Sequence, residues 1–528
     1  MGYRASNFSN RQLAVNMLSG IVVFAVNLCI SFFLTPYIVR TLGSAAYGFI
    51  GLSNNIVGYS SLLTVAINSM AGRFITIAVH SGDQEKANVY ISSVFFTNVV
   101  FSAIIMVVVG ICAFNLERMI NIPDDLIFDV KVLFVLLGIS TCLSLFTGLF
   151  AVSCFVCNRL DMTNIRNIIG NILRAVMILM LFGLCIPRLW YFGLTAVVMQ
   201  IYLIVVNMYI YKRLTPELLI RKVFFSVKAI IRITASGAWN ILNKISSLLT
   251  RGCELLLANL FVSAKMMGLF SIAFTIPMLL VSLFGGISNN FAPELTRHYA
   301  HNQPDQLKEE LFKSIRICSF LSAVPLALIY VLGDLFFALW VPGQDTLILY
   351  ALSAVGSMEL ICGLSQEPLW NIFVITDNVK GASLYQFFNA VLTFATILAL
   401  MYMTHDDIAR IMIIAGIHSL YCVIRNLTFL PIYGAKCLEL NRAVFYPVVL
   451  RSVLNVMIVI AFGFAFKYMF FGAITITAAY ATAHHFNWLS LLACAGCITG
   501  SVAVISNFIM LRAKDRLALM TKIRKVMS

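Results

Sequence analysis

The stretch LAVNMLSGIVVFAVNLCISFFLTPYIV, Leu13–Val39, contains no Asp, Glu, Lys or Arg. It is longer than the roughly twenty apolar residues a helix needs to cross the hydrocarbon core of a bilayer. It is also too long for the apolar region of a cleavable leader and lacks an A-x-A-like site, so it is expected to be a first membrane helix. Similar runs recur along the chain. Of 528 residues, 61% are hydrophobic and only 11% charged, and the mean hydropathy is +0.93. A soluble protein is nearer one quarter charged. Too few charges remain to coat a soluble body of this size, so lipid must be the solvent for much of the surface. In lipid each spanning segment satisfies its own backbone hydrogen bonds, and runs of helical length argue against a β-barrel. The expected fold is an all-α integral membrane protein with about fourteen transmembrane helices.

The spans are expected near 13–38, 47–72, 89–114, 130–156, 165–186, 190–211, 234–261, 268–292, 315–340, 347–374, 383–403, 408–432, 447–471 and 488–511. Loops are short throughout, with no room for an independent soluble domain. Placing the N-terminus inside puts 26 Lys and Arg on the cytoplasmic face. The opposite face then holds 7, namely Arg40, Arg118, Lys131, Arg188, Lys265, Arg410 and Lys467. That asymmetry predicts both termini in the cytoplasm. The net charge of +15 does not suggest nucleic acid, because the basic residues sit at helix ends rather than on one soluble face.

The link 212–232 mixes Lys212, Arg213, Arg221, Lys222 and Lys228 with Leu218, Leu219, Phe224 and Val227. Its composition suits an amphipathic helix lying in the interface, joining two halves. The expected domains are a six-helix bundle over 1–225, a second over 226–440, and a helix pair with a basic tail over 441–528. A shift of 220 residues lays Gly48 on Gly268, the Asn68 region on Ser288-Asn289-Asn290, and one inner polar link on the other. Identities are few, but the landmarks keep their order, as in transporters built from repeats.

Four cations fall inside spans: Arg174, Lys244, Arg251 and Arg425. Three carboxylates join them: Glu254, Glu359 and Glu367. A charge near mid-membrane costs about 2.5–3.5 kcal/mol on insertion scales and should face water or a partner. The surrounding polar residues are spaced at three- and four-residue steps, so each helix offers one polar face. Asn240, Lys244, Ser247, Arg251 and Glu254 form one such stripe, and Asn167, Asn171 and Arg174 another. His418, Tyr421, Cys422 and Arg425 form a third, while Asn54, Asn55, Asn68, Asn289 and Gln366 add further polar groups. The economical assembly points these faces at a shared watery cavity. Blander readings stand beside it. Arg174 can snorkel from an inner helix end, Arg251 and Glu254 can be a structural ion pair, Glu367 beside Pro368 can sit at the inner mouth, Glu359 can bond a neighbouring helix, and His418 can be a packing histidine. The candidate substrate contacts are Lys244, Arg251, Arg425, Arg174, Asn240, Asn55, Asn68, Asn289 and Gln366; the candidate coupling carboxylates are Glu254, Glu359 and Glu367.

No nucleophile elbow, phosphate-binding Gly-rich loop or HExxH motif occurs, so no catalytic residues and no cofactor are expected. Thirteen cysteines lie almost all in apolar runs. The CxxC pairs Cys154/Cys157 and Cys494/Cys497 lack further ligands nearby in sequence, which favours packing over a metal. His484-His485 is expected to be a solvated pair.

Asn16 to Arg73, with Thr35-Pro36-Tyr37, Arg40-Thr41-Leu42-Gly43, Tyr47-Gly48 and Ala71-Gly72-Arg73, resembles the opening of polysaccharide-transporter proteins. These are the O-antigen-type flippases of the MATE-like multidrug/oligosaccharidyl-lipid/polysaccharide superfamily. Asn158-Arg159-Leu160-Asp161 and Gly363-Leu364-Ser365-Gln366 through Lys380 resemble the family's later cytoplasmic links, whereas Glu367-Pro368 and Thr376-Asp377-Asn378 depart from it. The resemblance implies two six-helix bundles in a V around a central cavity, with spans thirteen and fourteen added. It implies a flippase that moves a lipid-linked, polyprenyl diphosphate oligosaccharide across the bacterial inner membrane by alternating access. Its partners would be that lipid, the bilayer, a polysaccharide polymerase and other assembly proteins, with no nucleic acid. Arg and Lys suit the phosphates, and Asn, Gln and Tyr suit the sugar hydroxyls. An inside-negative potential drives an anion outward by about 2.3 kcal/mol per charge per 100 mV, so an H⁺ or Na⁺ counter-ion is optional. The alternative is a MATE-like exporter of small molecules coupled to H⁺ or Na⁺. Such an exporter of cations should avoid the fixed positive charge of Lys244, Arg251 and Arg425. A scaffold or polymerase is disfavoured by the repeat and by the absence of a long outer loop.

Overall fold

A computed structural model describes residues 10–472 and 487–511, with the side chains of residues 10–14, 17, 18 and 21 left out. Every element among them is helical, and the chain is an all-α integral membrane protein. Thirteen stretches among the described residues are long and apolar enough to cross a membrane. The seventh expected span, over 234–261, does not qualify. It is broken into α8 (Val227–Ser247), a π-helical turn (Leu248–Gly252) and α9 (Cys253–Phe261). Its polar stripe also lowers its hydropathy. The basic tail beyond residue 511, the first nine residues and the His484-His485 pair lie outside the described residues.

The contacts divide the chain into two compact units. The first contains the residues up to Gly268 together with Gln386–Val391. Its opening helix α1 (Asn10–Tyr59) is two helices joined at Gly43, whose φ of 87° is a left-handed value that a side chain would strain. The first expected span therefore runs past Thr35-Pro36-Tyr37 to this glycine. A second break falls at Ser60, between α1 and α2 (Ser61–His80). The hydroxyls of Ser60 and Ser61 there donate to the Val57 and Gly58 carbonyls, both at 2.6 Å. Serine back-bonding of this kind bends helices.

Helices α3 (Gln84–Phe114), α5 (Ile127–Val156), α6 (Leu160–Leu184) and α7 (Tyr191–Leu214) follow, with a short α4 (Leu116–Met119) between the first two. Helix α5 packs along α7, α1 along α6, and α2 along α8. Small residues set these approaches. A Cβ on Gly237 of α8 would collide with the Ala66 main-chain carbonyl of α2, and one on Gly48 would lie 2.9 Å from Gly268 Cα. Close backbone approach through glycine is how membrane helices gain dispersion contacts where lipid offers no hydrophobic drive. The apolar cluster inside this unit includes Ile75, Tyr90, Ile91, Phe150, Tyr211 and Ile233.

The link after α7 is not the amphipathic helix expected from 212–232. Helix α7 ends at Leu214, Pro216 follows, and only a 3₁₀ turn (Lys222–Phe224) precedes α8. Side chains of α3 hold the segment extended instead. Asn88 Oδ1 accepts the Leu219 N–H at 2.8 Å, and Ser92 Oγ accepts from Arg221 N–H while donating to the Leu219 carbonyl, both at 3.1 Å. Ser93 Oγ accepts from Ser226 N–H at 3.0 Å. These bonds satisfy backbone groups that a helix would otherwise need, and Pro216 cannot sit inside one.

The second unit contains Leu269–Tyr385 and Leu392–Ser528. It is organised around α13 (Pro304–Trp340), a 37-residue helix about 55 Å long. Before it come α10 (Ala264–Ala273), α11 (Thr275–Asn289) and α12 (Ala292–Ala300). After it come α14 (Thr346–Gly356), α15 (Met358–Ile375), α16 (Val379–Met403), α17 (Asp407–Leu427), α18 (Phe429–Cys437), α19 (Tyr446–Phe471) and α20 (Trp488–Met510). Helices α19 and α20 pack on α13 through Val331, Leu335, Val459, Leu491, Ile498 and Val502. Lys467 was expected on the outer face. It is fully buried in α19, bonded to Asp334 of α13.

Candidate functional site

In the first unit the polar stripe of α6 faces a matching stripe of α1. The pairing begins at the α6 N-terminus, where Asn16 Oδ1 accepts the Asp161 N–H at 3.0 Å and Asn16 Nδ2 donates to Asn158. One turn on, Asn164 Nδ2 donates to Ser19 Oγ at 2.8 Å. Two turns further, Asn171 Nδ2 donates to Asn27 Oδ1 at 2.7 Å. The stripe then opens into a cavity of about 310 Å³. Asn27, Ser31, Thr35, Tyr47, Asn171 and Arg174 supply its polar wall, and Ile30, Leu34, Ile38 and Ile178 are among its apolar residues. Thr35 Oγ1 and Tyr47 Oη share a hydrogen bond of 3.2 Å in its wall.

Arg174 is the feature of consequence. It stands fourteen residues after the start of α6, about 21 Å along the helix axis. That is farther along the helix than the turn or two from its end that the snorkelling reading assumes. Its Nε is buried and has no hydrogen-bond partner among the described residues. A guanidinium placed this way is costly unless something polar or anionic completes it. The sequence pointed to Asn171 and Arg174 but not to Asn27, Ser31 and Thr35. Their four-residue spacing on one face of α1, continued from Asn16 through Gly20, was the available signal.

The remaining candidates of this unit are more dispersed. Asn240 donates to Ser69 Oγ at 3.0 Å, tying α8 to α2. Lys244 is half-buried, with no hydrogen bond or ion pair among the described residues. Asn55 and Tyr59 both donate to the Gly252 carbonyl, at 3.3 and 3.0 Å, and so satisfy the π turn that carries Arg251. A π turn leaves carbonyls short of their usual partners, and such turns gather at functional sites. Glu254 follows on α9 and is buried. Asn68 exchanges amide hydrogen bonds with Asn98 at 3.2 and 3.1 Å, a helix-to-helix cross-link.

In the second unit Arg425 Nε donates to Asn426 Oδ1 at 3.2 Å, and its guanidinium lies 5.6 Å from the Trp370 ring centroid. Gln366 is fully buried and donates to the Cys362 carbonyl at 2.9 Å, while its Oε1 has no partner among the described residues. Asn289 is exposed, whereas neighbouring Ser288 accepts from Asn371 Nδ2 at 3.1 Å. Glu367 on α15 is half-buried. Glu359 at the start of α15 is brought beside His418 of α17, with Oε2 and Nε2 3.9 Å apart. Cys422, one turn after His418, joins them. The sequence set His418 and Cys422 on one stripe but left Glu359 on a different span.

A chain whose described residues are helical, with broken spans and a polar pocket inside its first unit, is a multi-pass membrane protein. The match to known proteins then fixes the family. Residues 37–340 match the family model described as polysaccharide biosynthesis protein, and the chain belongs to that family. It is 28% identical over 434 residues to the uncharacterized membrane protein EpsK of Bacillus subtilis (strain 168), covering 82% of this chain and 85% of that one. Its fold is similar to an inward-facing multidrug resistance MATE family transporter of the MOP superfamily, with TM-score 0.63 and 13% identity over 81% of this chain and 98% of that one. It is also similar in fold to the lipid II flippase MurJ in an inward closed conformation, with TM-score 0.58 and 13% identity over 94% of this chain and all of that one.

Proposed function

We propose that the protein is a flippase that moves a lipid-linked oligosaccharide across the bacterial inner membrane by alternating access, for surface polysaccharide assembly. The observation that carries this reading is the Arg174 pocket. It offers one fixed cation with an unpartnered Nε, flanked by two asparagines, a threonine and a tyrosine and backed by apolar residues such as Ile30, Leu34 and Ile178. A polyprenyl diphosphate sugar presents the complementary groups: phosphate oxygens for a guanidinium, and hydroxyls for amides and phenols. The cavity volume falls at the low end of small-ligand sites, about 300–1,000 Å³, enough for the charged head while the tail stays in lipid.

Lys244, in the same unit, would add a further cationic contact. Both termini would lie in the cytoplasm, and the membrane potential, H⁺ or Na⁺ would supply directionality. The family and the fold support a membrane flippase or transporter; the cargo, the orientation and the driving force are what this reading adds.

The test is reconstitution of the purified protein in vesicles loaded on one side with a fluorescent polyprenyl diphosphate oligosaccharide. Movement of the label to the opposite leaflet, lost in Arg174→Ala, is the expected result. A wild-type protein that exchanges small organic cations for H⁺ or Na⁺ but leaves the lipid in place would overturn the reading.

A further inference from the structure

We propose that Glu359, His418 and Cys422 form a binding site for a thiophilic divalent cation of the zinc class. His418 and Cys422 are four residues apart on α17 and therefore share one face. Glu359 lies in the first turn of the packed helix α15. One donor atom from each of the three lies within 4.8 Å of the others. The residues are 6%, 6% and 5% exposed, so the donors converge in the interior of the unit rather than on its surface.

Donor atoms around one tetrahedral zinc, with bonds of about 2.0–2.3 Å, stand roughly 3.3–3.8 Å apart. The His418–Glu359 separation of 3.9 Å is already near that value.

The donor chemistry selects the ion. A thiolate and an imidazole suit Zn²⁺, Co²⁺ or Cd²⁺, whereas Na⁺, Mg²⁺ and Ca²⁺ favour oxygen. The charge also balances: a divalent cation with one carboxylate, one thiolate and a neutral imidazole has no net charge, the arrangement that a low-dielectric interior tolerates best. Binding breaks the Cys422 S–H bond, forms a metal–sulfur bond and releases the proton to solvent, with no change of oxidation state. A fourth position remains for the second Glu359 oxygen or a water. Asn426, one turn beyond Cys422, donates from Nδ2 to the Glu359 main-chain carbonyl at 3.5 Å and so helps hold the start of α15 against α17. The metal would cross-link these two helices whatever cargo the protein moves.

The experiment uses the full chain in detergent micelles, stripped with chelator and titrated with Co²⁺. One equivalent should raise visible d–d bands and a near-ultraviolet thiolate-to-cobalt charge-transfer band, and Zn²⁺ should bleach both. Cys422→Ser should remove the charge-transfer band, and His418→Gln should weaken binding at least tenfold. Cys362→Ser, a buried α15 thiol outside the cluster, should leave the spectrum unchanged. A wild-type chain without the band, or a Cys422→Ser chain that keeps it, means only a packed histidine with a neighbouring carboxylate and thiol, and overturns the proposal. Should the serine variant fail to fold, zinc-edge X-ray absorption of the wild type decides. A sulfur scatterer at about 2.3 Å together with imidazole scattering supports the site, and oxygen and nitrogen alone refute it.

Discussion

Lys467 Nζ of α19 lies 2.7 Å from both carboxylate oxygens of Asp334 on α13, and it also donates to the Val331 carbonyl at 2.7 Å. The two side chains are 0% and 2% exposed. The ammonium therefore has a partner for each of its protons, and the carboxylate has no route to water. Breaking such a pair from one side leaves a buried charge without compensation, which costs about 3–5 kcal/mol, while replacing both members by apolar residues of similar volume is often neutral or stabilising. Asp334→Leu and Lys467→Met should each lower the unfolding temperature of the detergent-solubilised protein sharply. The double variant should recover most of that loss. A double variant as unstable as the sum of the two singles would show that the pair does not act as a unit.

Arg174 separates stability from function. Its buried, unpartnered Nε is a burden on the folded protein, so Arg174→Leu should leave thermal stability unchanged or raised. The same variant should lose the charge-assisted bond to the cargo, about 1.5–3 kcal/mol, which corresponds to a tenfold to hundredfold weaker interaction. Surface polysaccharide and vesicle translocation should fall accordingly, and Arg174→Lys should recover part of the loss, because a point charge lacks the guanidinium's fork geometry. A variant that is stable and fully active would remove Arg174 from the transport path.

How much of this was legible in the sequence follows from what each signal measures. Apolar run length places spans because the bilayer imposes it, and the expected segments fall on the observed helices from α3 to α20. The exception, 234–261, is where function-like polarity and a π turn replace apolar length. Arg174 was visible as a charge in an apolar run, yet its cavity was not, because Asn27, Ser31 and Thr35 lie some 140 residues away and meet it only through packing. Lys467 was assigned to the outer face by the charge pattern alone, because composition cannot show that Asp334, 133 residues earlier, waits beside it. The link 212–232 looked amphipathic because its composition is; what overrides it is the row of Asn88, Ser92 and Ser93 acceptors on another helix.

The crossing of α2 and α8 should be intolerant of any side chain at Gly237. A Cβ there meets the Ala66 carbonyl, a backbone group that cannot rotate away. Gly237→Val should therefore cost at least the 1–3 kcal/mol typical of overpacking, about as much as separating the helices locally. Gly285→Ala is the internal control, since its Cβ would meet nothing within 4 Å. A thermal-shift comparison of the two variants checks this, and equal behaviour would argue against the close approach.

The extended link between α7 and α8 should owe its order to α3. Ser92 serves two backbone groups of the link at once, and Asn88 serves a third. Each such bond contributes about 0.5–1.5 kcal/mol, and the partner left behind is an amide or carbonyl that must then find water. Asn88→Ala with Ser92→Ala should release the segment without disturbing the apolar cluster around Ile91 and Phe150. Trypsin provides the readout, because Arg221 and Lys222 lie inside the clamped stretch and are exposed. Cleavage there should quicken in the double variant while the global unfolding temperature moves little. Unchanged cleavage would mean that the apolar contacts of Leu218 and Ile220, rather than the α3 hydrogen bonds, hold the link in place.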